Sequence, residues 1–401
     1  MSGLLVDRAA GTWTATTAVL PLSWPESLSP AALNETAGAT PFLAMDIPSV
    51  QMRYHQFVVA FGGRVAPHFA VKCNPSEAVL RALAGVGCGF EVASAQELRL
   101  VMEAGASAAD VFYSNPVRPA AHIRFAAEQG LRTFVVDGSA ELRKLALHAP
   151  GAGVVARIRV DDGSSRFPLS AKFGAEPEVA LRLLLDAGPL GLVPEGLTFH
   201  VGSQCTDPTA WARAVDQCGE LMAALAEHGV QLDLLDIGGG FPSYVGSEVP
   251  SLEDIAAATL PAISALPSPV RRVVAEPGRG LVADAGVMVA TVIGRERRAG
   301  RVWVYVDAGA YNGLMEAAQT AGRWPFPLRT SRPDDRTAPR LHCTLTGPTC
   351  DSSDTILVDA ELPETIAEGD RVYIGSAGAY SMSYVSAFNG FPSPYDVAFG
   401  G

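Results

Sequence analysis

No CxxC pair, no HExxH and no Cys/His ligand spacing occurs in this sequence, so its six cysteines and seven histidines form no recognisable metal site or disulfide framework. Reduced thiols in a cytoplasmic compartment are the expectation that follows. No stretch is both long enough and free enough of charge to span a bilayer. The first residues, "MSGLLVDRAAGTWTATTAVLPLSW", lack a basic region followed by a compact apolar core, and no secretory signal is expected. Positive charge is also short. Thirty Lys and Arg face 42 Asp and Glu, a net charge of -12, which argues against nucleic acid or an anionic membrane as a main partner.

What is present is an alternating texture. Over the first forty residues the chain is Ala/Thr/Pro-rich and weakly patterned, a tail or a segment added to another domain. From "TPFLAMD" onward, β-rich runs alternate with Ala/Leu/Glu-rich helical stretches such as "PSEAVLRALAGVG" and "SAQELRLVMEAG". The runs are "HFAVK", "GFEVAS", "VFYSN", "TFVVD", "VVARIRV", "LTFHVGS", "LLDIGGG" and "RRVVAEPGR". Strands alternating with helices imply parallel pairing and right-handed crossovers, and eight of them favour a (β/α)8 barrel. After Arg279 the strands "GVMVATVIGRERR", "RVWVYVDAG", "LHCTLTGPT", "DTILVDA" and "DRVYIGS" follow one another without long helices, the pattern of an antiparallel β domain. The expected division is 1–40 contributing to the β domain, 41–280 as the barrel and 281–401 as the β domain. Asp161 to Gly174, "DDGSSRFPLSAKFG", is polar and Gly/Ser-rich after a strand end, and is expected to be a mobile loop at the site.

Chemistry in a barrel sits at the C-terminal strand ends, and the unusual residues of this chain fall there. Lys72 ends an apolar run, where it either snorkels to water or is a reactive amine kept partly neutral by an apolar wall. Gly238, Gly239 and Gly240 close "LLDIGGG", either as a tight turn or as a backbone cradle for phosphate. Glu276 and Arg279 in "AEPGRG" form either an ion pair fixing a turn or a carboxylate and a bidentate phosphate ligand. His200 and Ser203 in "FHVGSQ" read as a core histidine and a hydroxyl, or as a stacking ring and a phosphate donor. Glu91 and Arg157 sit within apolar runs and each needs an oppositely charged partner. In the β domain, Cys350 and Asp351 share a turn and Tyr380 follows a glycine pair; Cys350 is a small buried hydrophobe or a proton donor. Together these residues make up the inventory of a pyridoxal 5'-phosphate (PLP) site.

"FAVKCN", "FEVAS", "AKFG", "FHVGSQ", "DIGGGFP", "AEPGR", "GPTCDSSD" and "GAYSMSYVSAFNGF" resemble, in order, the fold-type III PLP-dependent decarboxylases. The ornithine/lysine decarboxylases look nearest, with the arginine and diaminopimelate decarboxylases further off. The resemblance runs from about Thr40 to the C-terminus. It implies an alanine-racemase-like barrel, a C-terminal β domain that takes in the N-terminal segment, and a homodimer with shared active sites. It also implies amine formation of the kind that feeds polyamine biosynthesis. Lys72 then matches the lysine bonded to the cofactor, His200 the ring-stacking residue and Glu276 the partner of the ring nitrogen. Ser203, Gly238 to Gly240, Arg279 and Tyr380 match phosphate-binding positions, and Arg157 an arginine near the ring. Cys350 and Asp351 match residues reaching in from the partner subunit, the thiol to protonate the product and the carboxylate to meet a distal amine. Phe388 matches an aromatic at the site.

Two departures stand out. Glu91 occupies a position where the family usually has Asp. Gln319 stands where ornithine decarboxylases carry a second acid for the distal ammonium, a loss of about 2–5 kcal/mol in binding a distal cation; Asp351 remains, and whether Glu316 reaches the substrate is left open. The expected substrate is a basic amino acid held by Asp351, Gln319 and Phe388. The alternatives are a modified arginine, a citrulline or a carrier-bound aminoacyl group, and beyond these a racemase or a catalytically silent homologue.

Overall fold

The computed structural model describes residues 24–36, 38–332 and 339–400. Eight parallel strands close into a barrel in the order Leu234–Asp236, Arg272–Ala275, Ala66–Ala70, Gly89–Val92, Val111–Tyr113, Thr133–Val136, Gly153–Arg157 and Val193–Thr198. All eight runs read from the sequence supply these strands. They are short and almost wholly buried because a parallel barrel is covered by helices outside and filled by side chains inside. Phe112, Val135, Val155, Leu234 and Val274 form the filling. Their chain neighbours, such as Phe134 and Val136, point outward into the layer shared with the helices.

Those helices owe their position to apolar stripes and caps. In Ala95–Glu103, Ala95, Leu98 and Val101 are buried at helical spacing, and the Ser94 hydroxyl accepts from the Glu97 amide at the N-cap. Leu252–Ser264 begins with a reciprocal capping box between Ser251 and Asp254.

A second sheet carries the C-terminal part of the chain. Its main path runs Leu328–Thr330, Arg371–Ile374, Gly286–Arg298, Arg301–Val306, Arg340–Thr346, Thr355–Pro363. Phe42–Asp46 does not belong to the barrel but joins this sheet, antiparallel to Gly286–Arg298 and parallel to Tyr395–Phe399. The sheet is antiparallel-rich rather than purely antiparallel, since Arg301–Val306 and Arg340–Thr346 also run parallel. Trp24, Leu28 and Leu33 pack on its outer face against Phe42, Val287, Val289 and Tyr373. Arg371 Nη1 donates to Leu33 O at 2.7 Å, which ties the N-terminal segment to the same sheet. Among the described residues no helix is long and apolar enough to cross a membrane, and no cluster of His, Cys, Asp or Glu could hold a metal ion.

Candidate active site

Register alone brings the first pair together. Ala70 is paired with Glu91 on the neighbouring strand. Lys72, two residues beyond Ala70, lies in a single 3-10 turn, Val71–Cys73, rather than on the strand. Its ammonium donates to Glu91, which is buried, while the Lys72 side chain keeps 41% exposure into the barrel mouth. Burial works against the charged amine, but Glu91, with Tyr380 and Glu276, outweighs it and holds Lys72 above its ordinary value. Lys72 is thus neither free in solvent nor alone against an apolar wall: it is paired with the carboxylate of Glu91. Burial pushes Glu91 upward, and Lys72 opposes that rise.

Glu276 is the second centre. It follows the barrel strand Arg272–Ala275, is buried, and accepts a hydrogen bond from the Ser114 hydroxyl. Burial, reinforced by the charge of Asp236, pushes its carboxyl up to about 8. Asp236 is itself pushed up by burial to about 6, though it accepts from the Gly238 amide and the Thr198 hydroxyl, each at 2.8 Å. Two buried carboxyls side by side resist double ionisation. Arg157, Ser114, Thr198, His200 and Glu276 line one small cavity with Val135 and Phe199. Burial lowers Arg157 from its usual range, and Glu276, Asp137 and Glu91 hold it charged.

His200 is neutral. Burial, with the positive charges of Arg157 and Lys72, lowers it well below the usual value. Its Nδ1 accepts from the Gly202 amide at 3.0 Å, so the ring proton sits on Nε2. The ring packs so closely over Gly239 that a Cβ there would lie 2.9 Å from Nε2 and 2.8 Å from Glu276 O. Gly238 and Gly240 have φ of +64° and +98°, and their Cβ atoms would strike Phe199 O and Gly202 O. All three glycines are thus required, for conformation at the outer two and for space at the middle one.

Arg279 opens the turn after Glu276 and is 3% exposed. Its Nη2 donates to Ser203 Oγ at 3.2 Å, its Nη1 donates to Glu316 Oε2 at 2.8 Å, and its Nη2 also donates to Glu316 Oε1. The guanidinium is flanked by the rings of Tyr380, Trp324 and Phe167 at 5.0, 5.1 and 5.8 Å. Tyr380, at φ +55°, is anchored by its amide to Cys73 O at 2.7 Å, beside Lys72. Phe167 belongs to the loop read as mobile. That loop has structure of its own: Ser165–Phe167 pairs with Ser203–Cys205, and Asp162 accepts from the Ser170 amide at 2.7 Å.

The remaining predicted residues form a separate group. Cys350 is exposed rather than buried, and its amide donates to Asn389 Oδ1 at 3.0 Å. Asp351 is half-buried and accepts from the Ser353 amide and hydroxyl at 2.8 and 2.7 Å, contacts that lower its carboxyl. The fully buried acid of this turn is Asp354, which accepts from the Ala310 amide at 2.7 Å. Phe388, 40% exposed, packs against Tyr311 at 4.7 Å. Gln319 is exposed at the end of the short helix Met315–Gln319, whereas Glu316, one turn earlier, is the buried acid.

Sequence reasoning missed Ser114 and Asp236, and it weighed Glu316 only as an acid for the substrate, not as the partner of Arg279. Ser114 and Asp236 had a usable signal, since each lies at the end of a barrel strand as the recognised residues do. The pairing of Glu316 with Arg279 had none, because nothing local to Glu316 points to a partner 37 residues away.

These residues fit PLP. The donors, the glycine cradle and a lysine with one carboxylate partner are those the cofactor needs, and Arg279 Nε is a buried donor with no partner among the described residues.

A family model described as "Pyridoxal-dependent decarboxylase, pyridoxal binding domain" matches residues 47–283. The lysine/ornithine decarboxylase of Selenomonas ruminantium is 34% identical over 358 residues, 88% of each chain. Antizyme inhibitor 2 of Xenopus laevis is 34% identical over 373 residues, 90% of this chain and 81% of that protein. The solved structure of a lysine/ornithine decarboxylase from Vibrio vulnificus complexed with cadaverine superposes with a TM-score of 0.83. It is 32% identical, and the match covers 92% of this chain and 97% of that one.

Proposed function

The chain belongs to the PLP-dependent decarboxylases, and from that premise we propose that it removes the α-carboxylate of a basic amino acid at a site shared by two copies of the chain. The observation that carries this reading is the meeting of Lys72 with Glu91, Glu276 with Ser114, and Arg279 with Ser203 at the C-terminal strand ends of one barrel. Antizyme inhibitor 2 is as similar in sequence as the lysine/ornithine decarboxylase is, so similarity alone does not carry the reading as an enzyme. The complete set of ionisable groups favours the enzyme.

PLP, once bound, supplies a sink for the electron pair released when the Cα–carboxylate bond breaks. Lys72 is the residue that would hold it covalently. To act as a nucleophile Lys72 must release a proton, and Glu91 is the adjacent group able to take it. His200, neutral and fixed by Gly202, offers an uncharged flat face. Glu276 would hold the ring nitrogen, with Ser114 and Asp236 fixing its carboxyl. Arg279, Ser203, Tyr380 and the backbone at Gly238 to Gly240 would take the phosphate, and Arg157 would lie by the ring.

A homodimer explains the exposed group. Cys350, Asp351 and Phe388 are chemically suited to a proton donor, a cation acceptor and an apolar wall, yet they sit at the surface of their own chain. In a second copy they would complete the neighbouring barrel mouth. The Selenomonas and Vibrio relatives are named for lysine and ornithine, which supports a diamino acid as substrate. Neutral, exposed Gln319 favours a second reading, a side chain with a different end group. CO2 release from L-lysine, L-ornithine, L-arginine and L-citrulline, beside carrier-bound aminoacyl thioesters, tests both. Release from lysine or ornithine supports the first. Release only from a tethered or uncharged substrate replaces it with the second.

A further inference from the structure

The ion pair between Arg279 and Glu316 is the most deeply buried acid–base contact beside the glycine cradle, with side chains 3% and 7% exposed. A guanidinium has five N–H donors on two usable edges: a terminal edge made by Nη1 and Nη2, and a side edge made by Nε and Nη2. Glu316 takes the terminal edge with both carboxylate oxygens. Aromatic rings flank the group. The side edge is left, and on it Nη2 reaches Ser203 Oγ at 3.2 Å while Nε is buried without a partner among the described residues. A buried N–H without an acceptor is costly and marks a place where an acceptor belongs.

We propose that Glu316 is a positioning residue for the cofactor phosphate: it grips the terminal edge of Arg279 so that the side edge, Nε and Nη2, meets phosphate oxygens beside Ser203. This inference rests on the proposed placing of the phosphate at Arg279. Bidentate binding of a phosphate by arginine depends on the plane of the fork, and a carboxylate on the opposite edge fixes that plane. It does so at an electrostatic disadvantage, since Glu316 carries the same sign of charge as the phosphate. Orientation and repulsion therefore make opposite forecasts for Glu316 variants, and the proposal commits to orientation.

The test compares PLP with pyridoxal, which lacks the phosphate, in equilibrium binding to the full-length protein. In Glu316→Gln, which keeps the side-chain volume, the PLP dissociation constant should rise by about tenfold or more while that for pyridoxal stays within about twofold. In an Arg279→Ala background the same substitution should leave the ratio of the two constants unchanged, because Glu316 acts through Arg279. Glu316→Ala risks leaving Arg279 as an uncompensated buried charge, so Glu316→Asp is the companion variant, expected to restore part of the preference for PLP. An equal loss for both ligands would show a merely structural role and overturn the proposal. So would an unchanged or stronger preference for PLP, or a change confined to the KM for the amino acid. If the wild-type protein itself did not prefer PLP to pyridoxal, the placing of the phosphate at Arg279 would fail, and the inference with it.

Discussion

Lys72, in the turn just past one barrel strand, meets Glu91 on the next, the lysine half-open to the mouth and the carboxylate buried beneath it. Glu91 is the chief reason that Lys72 stays charged despite its surroundings. Replacing Glu91 with Gln leaves burial in control, so the Lys72 pKa should fall. The pH profile for covalent capture of PLP, followed by the absorbance of the protein-bound cofactor, should move toward acid in Glu91→Gln. An unmoved profile would mean that Glu91 does not govern the amine.

Glu276 makes stability depend on pH in the cofactor-free protein. Its carboxyl rises from 4.5 to about 8 on folding, through burial and the nearby Asp236. Between those values the folded chain keeps a proton that the unfolded chain releases. The stability is present below the unfolded value and is lost as pH rises through the folded one. Glu276→Gln cannot ionise, so its Tm relative to wild type should climb from about pH 5 to about pH 9. A Tm difference that stays flat across that range would contradict the shift.

Gly239 is required for room rather than for conformation, since its Cβ would meet both Glu276 O and His200 Nε2. Gly239→Ala should displace the His200 ring and weaken PLP binding by about tenfold or more, while the barrel still folds. Near-UV absorbance of the bound cofactor and far-UV circular dichroism read the two effects separately. Normal PLP affinity in this variant would show that the cradle tolerates a methyl group.

If Cys350 and Asp351 serve the neighbouring barrel, two inactive chains can repair each other. Lys72→Ala lacks the lysine, Cys350→Ala lacks the thiol, and a mixed dimer holds one intact site. Mixing them should restore up to about a quarter of wild-type activity once subunits exchange at random. Exchange without any recovery would place both groups in one chain's own site.

The barrel was legible because each strand announces itself as an apolar run with a polar residue at its C-terminal end, as in "FHVGSQ" and "AEPGRG". Phe42–Asp46 was harder to assign. It is buried along its whole length and apolar up to Asp46, so its pattern cannot distinguish a barrel strand from a central strand of another sheet. Most site residues shared that strand-end signature. Glu316 did not, since its role is created by Arg279 arriving from 37 residues away. The state of Lys72 stayed open between two readings, because an apolar run shows only its burial while the charge facing it comes from the next strand.

The most direct measurement of the central claim is the site at which PLP is bonded. The chain has three lysines, Lys72, Lys144 and Lys172. Lys144 is engaged with Glu141 and with Arg118 O at 2.8 Å, and Lys172 lies over the Phe173 ring. Borohydride reduction of the PLP-loaded protein followed by peptide mass mapping should find a single pyridoxyl group, on Lys72, and none in Lys72→Ala. A pyridoxyl group on Lys144 or Lys172, or an undiminished adduct in Lys72→Ala, would contradict the account.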